Sequence, residues 1–351
     1  QPVQTIQQNP PRILAFDSVV TSASLGNYYQ IQGSNLGSAT SVTFNGYTAY
    51  FNRALVTDNS IIVQVPSKTP YYGPDANDSL YITTTYGKVG YKLAILPPPP
   101  TVSGYSNYNF SAGSQITLDG VGFASVTSVT VSGTQGGTGD VSIVSQNDSV
   151  MVVQFASMSV NRGVLNFMYS AGGQSDSAKG TQELINLDNA YPVFVNGNIA
   201  SGWGNWSWDN AQLSNAYTKT SANSWNAQFS GGGWKIDGFR NGGGNPTDGL
   251  AYSPDYTYLV FWVYGGSAVE TLYIEWGNEG FNNSGDNQIN AQVVQPNQWN
   301  YFKIPISSLL WNTGTTNWAA NNSQNLNTVA FFMNSNSVTE QLYFDDIVLV
   351  K

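Results

Sequence analysis

The sequence predicts an all-β protein: two small β-sandwiches in tandem, then a β-jelly-roll. Three observations predict it. Gly, Asn, Ser and Thr are abundant and alternate with short runs of Val, Ile, Tyr and Thr, a pattern of strands and tight turns. The first half of the chain repeats itself at a spacing near 90 residues. All ten tryptophans lie beyond Ala190, so the last part is a domain of a different kind.

Composition narrows the function classes. The aromatic share of 13% exceeds the charged share of 9%, the reverse of a disordered chain. A net charge of −9 with no basic cluster argues against a surface that tracks nucleic-acid phosphates, and acidic polysaccharides are disfavoured on the same ground. The chain has no cysteine and no histidine, which excludes disulfides, thiolate chemistry and His-based triads. No apolar run is long enough to span a membrane. The chain begins at Gln1 with no Met and no signal-like stretch, so a mature or trimmed form is expected.

Residues 1–9 are polar and aperiodic, a tether. Residues 29–46 (YQIQGSNLGSATSVTFNG) then align with residues 116–133 (ITLDGVGFASVTSVTVSG), bringing Gly33 to Gly120, Leu36 to Phe123 and Gly46 to Gly133. Residues 60–65 align with 149–155 at a shift of 89, two more than the shift of 87 before it. The period is too long for a solenoid unit and suits two complete sandwiches, at 10–96 and 97–186. The four prolines Pro97 to Pro100 favour an extended conformation that holds the two at a nearly fixed separation.

The third region, 187–351, holds nine candidate strands at 191–195, 225–229, 234–239, 256–264, 271–276, 288–294, 299–306, 328–334 and 342–350, a jelly-roll of two packed sheets. Leu259, Phe261 and Val263 make one apolar face of their strand, while Tyr258, Trp262 and Tyr264 make an aromatic one. Such a strand is either buried twice or lines a binding surface. Leu272 and Ile274 point one way, Tyr273 and Glu275 the other.

Ten indoles among neutral amides and hydroxyls suit a neutral, hydroxyl-rich ligand. A sugar ring offers an apolar face for stacking and a rim of hydroxyls for amides and carboxylates. Trp299 and Trp225 are expected to be structural, and Trp262 is open. Trp203, Trp206 and Trp208 crowd a Gly-rich segment, and Trp234 follows Gly231 to Gly233; each is either a contact or core. Trp276 ends a strand before a long polar loop, and Trp311 and Trp318 lie in an irregular stretch. Large rings on loops need a reason, so these three are the favoured contacts. The ligand-binding set expected is therefore Trp203, Trp206, Trp234, Trp276, Trp311 and Trp318, with Glu275, Asn278 and Asn334 as polar partners. Glu279, Asn290 and Gln292 are further polar candidates, although each Asn also reads as an ordinary turn residue. Asp345 and Asp346 are either hydrogen-bonded structural acids or part of a structural calcium site.

Gln32-Gly33-Ser34-Asn35-Leu36-Gly37, Val42-Thr43-Phe44-Asn45-Gly46 and Ile61-Ile62-Val63-Gln64-Val65-Pro66 resemble the immunoglobulin-like TIG (IPT) domain. The second copy departs from that pattern, with Gly122-Phe123 in place of Asn35-Leu36 and no proline after Phe155. The resemblance implies spacer domains of extracellular proteins. Beyond them, Gly202 to Trp208, Gly233-Trp234-Lys235, Trp299 to Ile306 and Leu342 to Leu349 resemble carbohydrate-binding jelly-roll modules. The whole layout resembles the cell-surface glycan-binding proteins of Bacteroidetes polysaccharide-utilisation loci. It implies a non-catalytic, monomeric protein held to the outer membrane by a lipid upstream of Gln1, passing a neutral polysaccharide to a glycan importer. A β-glucan is the first expectation, with xyloglucan and β-mannan next. The alternatives are a glycoside hydrolase or lyase using Glu275 and Glu279, and an adhesin that binds another protein.

Overall fold

The computed structural model describes residues 9–16, 21–171, 174–232, 235–243, 245, 247–278, 288–312, 314–334 and 336–351, without the side chains of Ala15, Ala171 and Gln174. The chain is all-β, with six sheets among the described residues. Three separate apolar cores follow one another along it, centred on Phe16, Phe44 and Leu80, on Phe110, Phe123 and Phe167, and on Phe261, Phe331 and Phe344. No helix among the described residues is long and apolar enough to cross a membrane.

In the N-terminal sandwich, Arg12–Phe16, Tyr28–Ser34 and Ser60–Gln64 form one sheet. Tyr47–Ala49, Ala39–Phe44, Ser79–Thr84 and Gly87–Lys92 form the other. Strand alternation is plain: in Ser60–Gln64, Ile61 and Val63 are buried while Ile62 is exposed.

The internal repeat has a stereochemical cause. Gly33 donates its N–H to Asn59 O and Gly120 donates to Ser149 O, both at 2.9 Å. A Cβ on Gly33 would sit 2.1 Å from Arg12 O, and one on Gly120 would sit 2.0 Å from Thr101 O. Each glycine therefore lets a neighbouring strand cross close over it, and Leu36 or Phe123 fills the core just beyond. The later strands correct the sequence alignment by one residue. Ile31 pairs with Ile61 and Leu118 with Met151, so the shift of the paired strand is 90 rather than 89. Ile61-Ile62-Val63 and Val150-Met151-Val152-Val153 are unbroken apolar runs, so the letters alone do not show which phase is buried. The middle sandwich also differs in topology: Thr138–Gln146 pairs with both Val126–Gly133 and Val150–Phe155, joining its strands into one sheet.

The C-terminal sandwich packs a seven-stranded sheet on a five-stranded one. All nine expected strands are present, most with ends shifted by one or two residues; the strand expected from 288 is Gln292–Val294. Three short strands were not anticipated: Asn198–Ile199, Trp203–Asn205 and Ala211–Ser214. The larger sheet runs through the long Glu340–Val350 strand, which pairs with Tyr191–Val195, Ser224–Phe229 and Tyr258–Tyr264; the last pairs in turn with Trp299–Pro305. The smaller sheet has the order Trp203–Asn205, Lys235–Asn241, Thr328–Met333, Glu270–Gly277, Gln292–Val294.

The Tyr258–Tyr264 strand is buried twice. Its aromatic face meets the middle sandwich, where Tyr108 lies 5.2 Å from the Trp262 ring and 5.1 Å from Tyr301. Trp262 Nε1 donates to Asn107 Oδ1 at 3.1 Å, and Tyr301 donates its hydroxyl to Asn109 Oδ1 at 3.1 Å. Ile185 and Leu187 pack with Val260, Val348 and Val350 into a small apolar cluster at the same junction. Glu183 bonds Lys303 across it and Arg162 within the middle sandwich. Burial alone would raise the Glu183 carboxyl, but the bonds from Lys303 and Thr134 and the two cationic charges hold it below its ordinary value.

Asp345 and Asp346 belong to this junction. Asp345 Oδ2 accepts the backbone N–H groups of Lys219 and Thr220 at 3.1 and 3.0 Å. Asp346, at φ 51°, sits at a bulge in the strand and turns its carboxylate to Asn109 Nδ2 at 3.0 Å and the Thr220 hydroxyl at 2.5 Å. These donors hold both acids as structural anchors, with Asp346 Oδ1 left without a partner among the described residues. Among the described residues no cluster of three His, Cys, Asp or Glu side chains could hold a metal ion.

Candidate functional site

The face of the smaller sheet turned away from the main core carries three cross-strand rows, whose inner members Ile236, Phe332, Ala330 and Thr328 are themselves buried. Ile236 pairs with Phe332 and Phe332 with Tyr273; Gly238 pairs with Ala330 and Ala330 with Glu275; Arg240 pairs with Thr328 and Thr328 with Gly277. The chain after Trp203–Asn205 continues along the edge of this sheet. Trp206 N–H donates to Gly238 O at 2.8 Å and Trp208 N–H to Ile236 O at 2.9 Å. Strand alternation then turns Trp203 into the core and sets Trp206 and Trp208 on the outward face. The first row thus runs Trp208–Ile236–Phe332–Tyr273, and the second runs Trp206–Gly238–Ala330–Glu275.

The two indoles meet edge to face, with ring centres 6.2 Å apart. The Arg240 guanidinium lies 4.0 Å over the Trp206 ring and holds it upright. Trp208 is 45% exposed, an unusual amount of accessible surface for an indole. Gly238 and Ala330 keep the floor low: a Cβ on Gly238 would come within 2.4 Å of Ala330 Cα. Glu275 closes the far end of the second row. It is buried, its Oε1 has no hydrogen-bond partner among the described residues, and burial pushes its pKa up to about 7. A buried acid of this kind is poised to donate to, or accept from, a hydroxyl that arrives with a ligand.

Several sequence expectations are corrected here. Trp276 follows the phase of Leu272 and Ile274 and is wholly buried. Trp318 is wholly buried and Trp311 nearly so. Trp311 and Trp318 stack at 5.6 Å, Trp318 meets Trp276 edge-on at 5.8 Å, and Gln324 accepts both of their indole N–H groups. The irregular stretch around them is a plug that closes one end of the core. Trp203 is also core. Rings with no accessible face cannot take a sugar in this conformation. Asn278 is buried and bonded to Asn312, and Asn290 ties Ile274 O and Leu310 O together, so both read as structural.

Trp206 and Glu275 of the expected set share the face, and Asn334, half-buried, extends it just past the end of Thr328–Met333. Trp234 and Glu279 lie outside the described residues. Trp208, Tyr273 and Arg240 were not in the expected set. Counting strand alternation onward from a buried Trp203 would have found Trp208.

A cleft of 280 Å³ between Tyr252, Pro254, Tyr256, Tyr258, Pro305 and Ser307 lies elsewhere on this sandwich. It has room for one ring, whereas the rows beside Trp206 run across four strands.

Comparison with known proteins bears on the fold. Residues 11–93 match the IPT/TIG domain. An IPT/TIG domain-containing protein of Bacteroides ovatus is 32% identical over 119 residues, 33% of this chain and 24% of that relative. The matched stretch therefore spans about a quarter of the curated relative's length. Among solved structures, a surface glycan-binding protein of Prevotella bryantii superposes with a TM-score of 0.51 at 16% identity, over 97% of this chain and 99% of that one. The SGBP-B protein of a complex xyloglucan utilization locus in Bacteroides uniformis aligns over 98% and 100% at 16% identity, with a TM-score of 0.38. The IPT/TIG domain thus stands at the head of a chain whose overall fold is that of the P. bryantii protein.

Proposed function

We propose that this chain is a non-catalytic glycan-binding protein that captures a neutral polysaccharide through the outward face of its smaller C-terminal sheet. The observation that carries the reading is the second cross-strand row: the half-exposed Trp206 indole at one end, a buried acid whose Oε1 has no hydrogen-bond partner among the described residues at the other, and two small residues between. Trp206, Trp208 and Tyr273 offer apolar ring faces to sugar C–H groups. Glu275, Arg240 and Asn334 take hydroxyls. The IPT/TIG domain and the middle sandwich then act as a stalk. The described function of the P. bryantii protein, surface glycan binding, agrees with this reading.

Hydrolysis needs a second carboxylate facing the first across the sugar. Glu275 is the only carboxylate in the three rows, and the nearby Asp237 alternates with Ile236 and Gly238 onto the opposite face of the sheet. Among the described residues these rows offer one carboxylate, which favours binding over cleavage. A β-glucan is the favoured ligand, because its equatorial substituents leave broad flat faces; xyloglucan and β-mannan follow. Display on the outer membrane by a lipid upstream of Gln1, a monomeric state and a neighbouring importer complete the proposal.

The test is native affinity electrophoresis of the whole chain in gels cast with mixed-linkage glucan, β-1,3-glucan, xyloglucan, mannan or starch, with reducing-sugar release measured in parallel. Retardation on at least one neutral glycan without sugar release is expected. Sugar release that Glu275→Gln abolishes contradicts the non-catalytic reading, and no retardation on any glycan contradicts the ligand class.

A further inference from the structure

A second aromatic surface lies on the opposite sheet of the C-terminal sandwich. Trp299 pairs with Tyr264, Tyr264 with Tyr343, Tyr343 with Asn226, and Asn226 with Gln212, a single row across five strands. At the ~4.8 Å interstrand spacing this row is roughly 19 Å long. Its residues alternate with core residues such as Val263, Phe344 and Trp225, so they point away from that core; Tyr343 and Asn226 are buried, and Trp299, Tyr264 and Gln212 keep accessible surface. Tyr217, from the loop before Ser224–Phe229, stacks on Tyr264 at 4.0 Å and lies 5.0 Å from Tyr343. The ring run continues through Trp299, 5.6 Å from Tyr264, to Trp262 at 6.5 Å and so to Tyr108 of the middle sandwich.

The inner part of this run is the domain junction already described. The outer part is not needed there. Tyr217 is 42% exposed, and Tyr264 and Trp299 keep accessible surface. A large ring stacked outward on another ring, away from the core, leaves apolar surface in water without a packing return. The row carries no acid or base. The nearest cation, Lys219, is engaged by Ser106 O at 2.7 Å and by the Trp262 ring. Exposed Gln212 and Gln341 flank the rings with neutral donors and acceptors. A nucleic acid would want positive charge here. A neutral chain with apolar faces and hydroxyl rims matches both the rings and the absence of charge.

We propose that Tyr217, Tyr264 and Trp299 form a second neutral-glycan strip, back to back with the Trp206 face. This rests on the reading of the chain as a neutral-glycan binder. The two surfaces lie on opposite sheets, so one straight oligosaccharide cannot touch both. A polymer can, which makes the chain bivalent for polysaccharide and monovalent per strip for oligosaccharide.

The experiment uses the whole chain, the polysaccharide that retards it most, and a heptasaccharide of that polymer. Calorimetry with the heptasaccharide is run on wild type, Trp208→Ala, Tyr217→Ala and the Tyr217→Ala/Trp299→Ala pair, with thermal melts as folding controls. Tyr217 lies on an exposed loop, so its variant folds whatever Trp299→Ala does. Two heptasaccharides per wild-type chain are expected, one per chain after Tyr217→Ala or Trp208→Ala, and polymer affinity about tenfold weaker in each. One heptasaccharide per chain that Trp208→Ala removes and Tyr217→Ala leaves unchanged overturns the strip and keeps the functional reading. Concentration-dependent dimers that Tyr217→Ala dissolves overturn the strip in favour of a self-association surface. Wild type that binds no glycan overturns the functional reading itself.

Discussion

Trp206 and Glu275 stand at opposite ends of one cross-strand row, with Gly238 and Ala330 between them. Three interstrand steps of ~4.8 Å put the two ends roughly 14 Å apart. One end supplies an aromatic face and the other a buried carboxyl. Neither feature contributes to the main core, which lies on the other side of the sheet.

Stacking should dominate affinity at this face. Trp206→Ala and Trp208→Ala are each expected to weaken binding about tenfold or more, ~1.4 kcal/mol per factor of ten. Trp208 is 45% exposed, so its replacement should leave the melting temperature nearly unchanged. Calorimetric titration beside a thermal melt separates the two effects. A large loss of stability with unaltered affinity in Trp208→Ala would count against the assignment.

The buried tryptophan plug should behave in the opposite way. Trp318→Ala removes the partner of both Trp311 and Trp276 and should cost about 3–5 kcal/mol of stability. Urea unfolding reads this directly. Glycan affinity of the fraction that remains folded should match wild type.

Glu275 makes stability depend on pH with a definite sign. Its folded pKa is raised by burial from 4.5 to about 7. A raised carboxyl contributes stability that is fully present below the unfolded value and is lost as pH rises through the folded one. Stability should therefore fall between pH 4.5 and about 7 on account of this group. Burial pushes Asp237 to about 8, and burial with the Asp345 charge pushes Asp346 to about 7, both with the same sign. Glu275→Gln should flatten part of the slope and gain most relative to wild type above pH 7. Urea midpoints measured from pH 4 to 9 on both proteins test this; parallel curves would contradict it.

The junction of the middle and C-terminal sandwiches should be stiff. Asn109 accepts from Tyr301 and donates to the Asp346 carboxylate. Asn109→Ala should leave that buried acid short of a donor, at a cost of about 1–3 kcal/mol. Faster proteolysis near residues 186–190 and a broader small-angle scattering profile are expected, with heptasaccharide affinity at the Trp208 face unchanged. The junction of the first two sandwiches carries Tyr71, which donates to Asp148 at 2.6 Å.

How much of this was legible in letters varies by residue. The nine strands and the opposed phases of Leu272/Ile274 and Tyr273/Glu275 follow from alternation, and the structure reproduces them. The same alternation carried one residue further buries Trp276; proximity to a polar loop suggested otherwise. Trp311 and Trp318 have no local period to read, because their burial is created by Trp276 and Gln324 from elsewhere in the chain. The junction of Asn107, Asn109, Trp262 and Asp346 is likewise a long-range pairing with no sequence signature.

The most direct measurement of the central claim is affinity electrophoresis of wild type and a Trp206→Ala/Trp208→Ala double variant in mixed-linkage glucan and xyloglucan gels. The account predicts retardation of wild type, mobility of the folded double variant close to that in a glycan-free gel, and no reducing-sugar release from either. Equal retardation of the two proteins would contradict it and move the principal glycan site away from the Trp206 face.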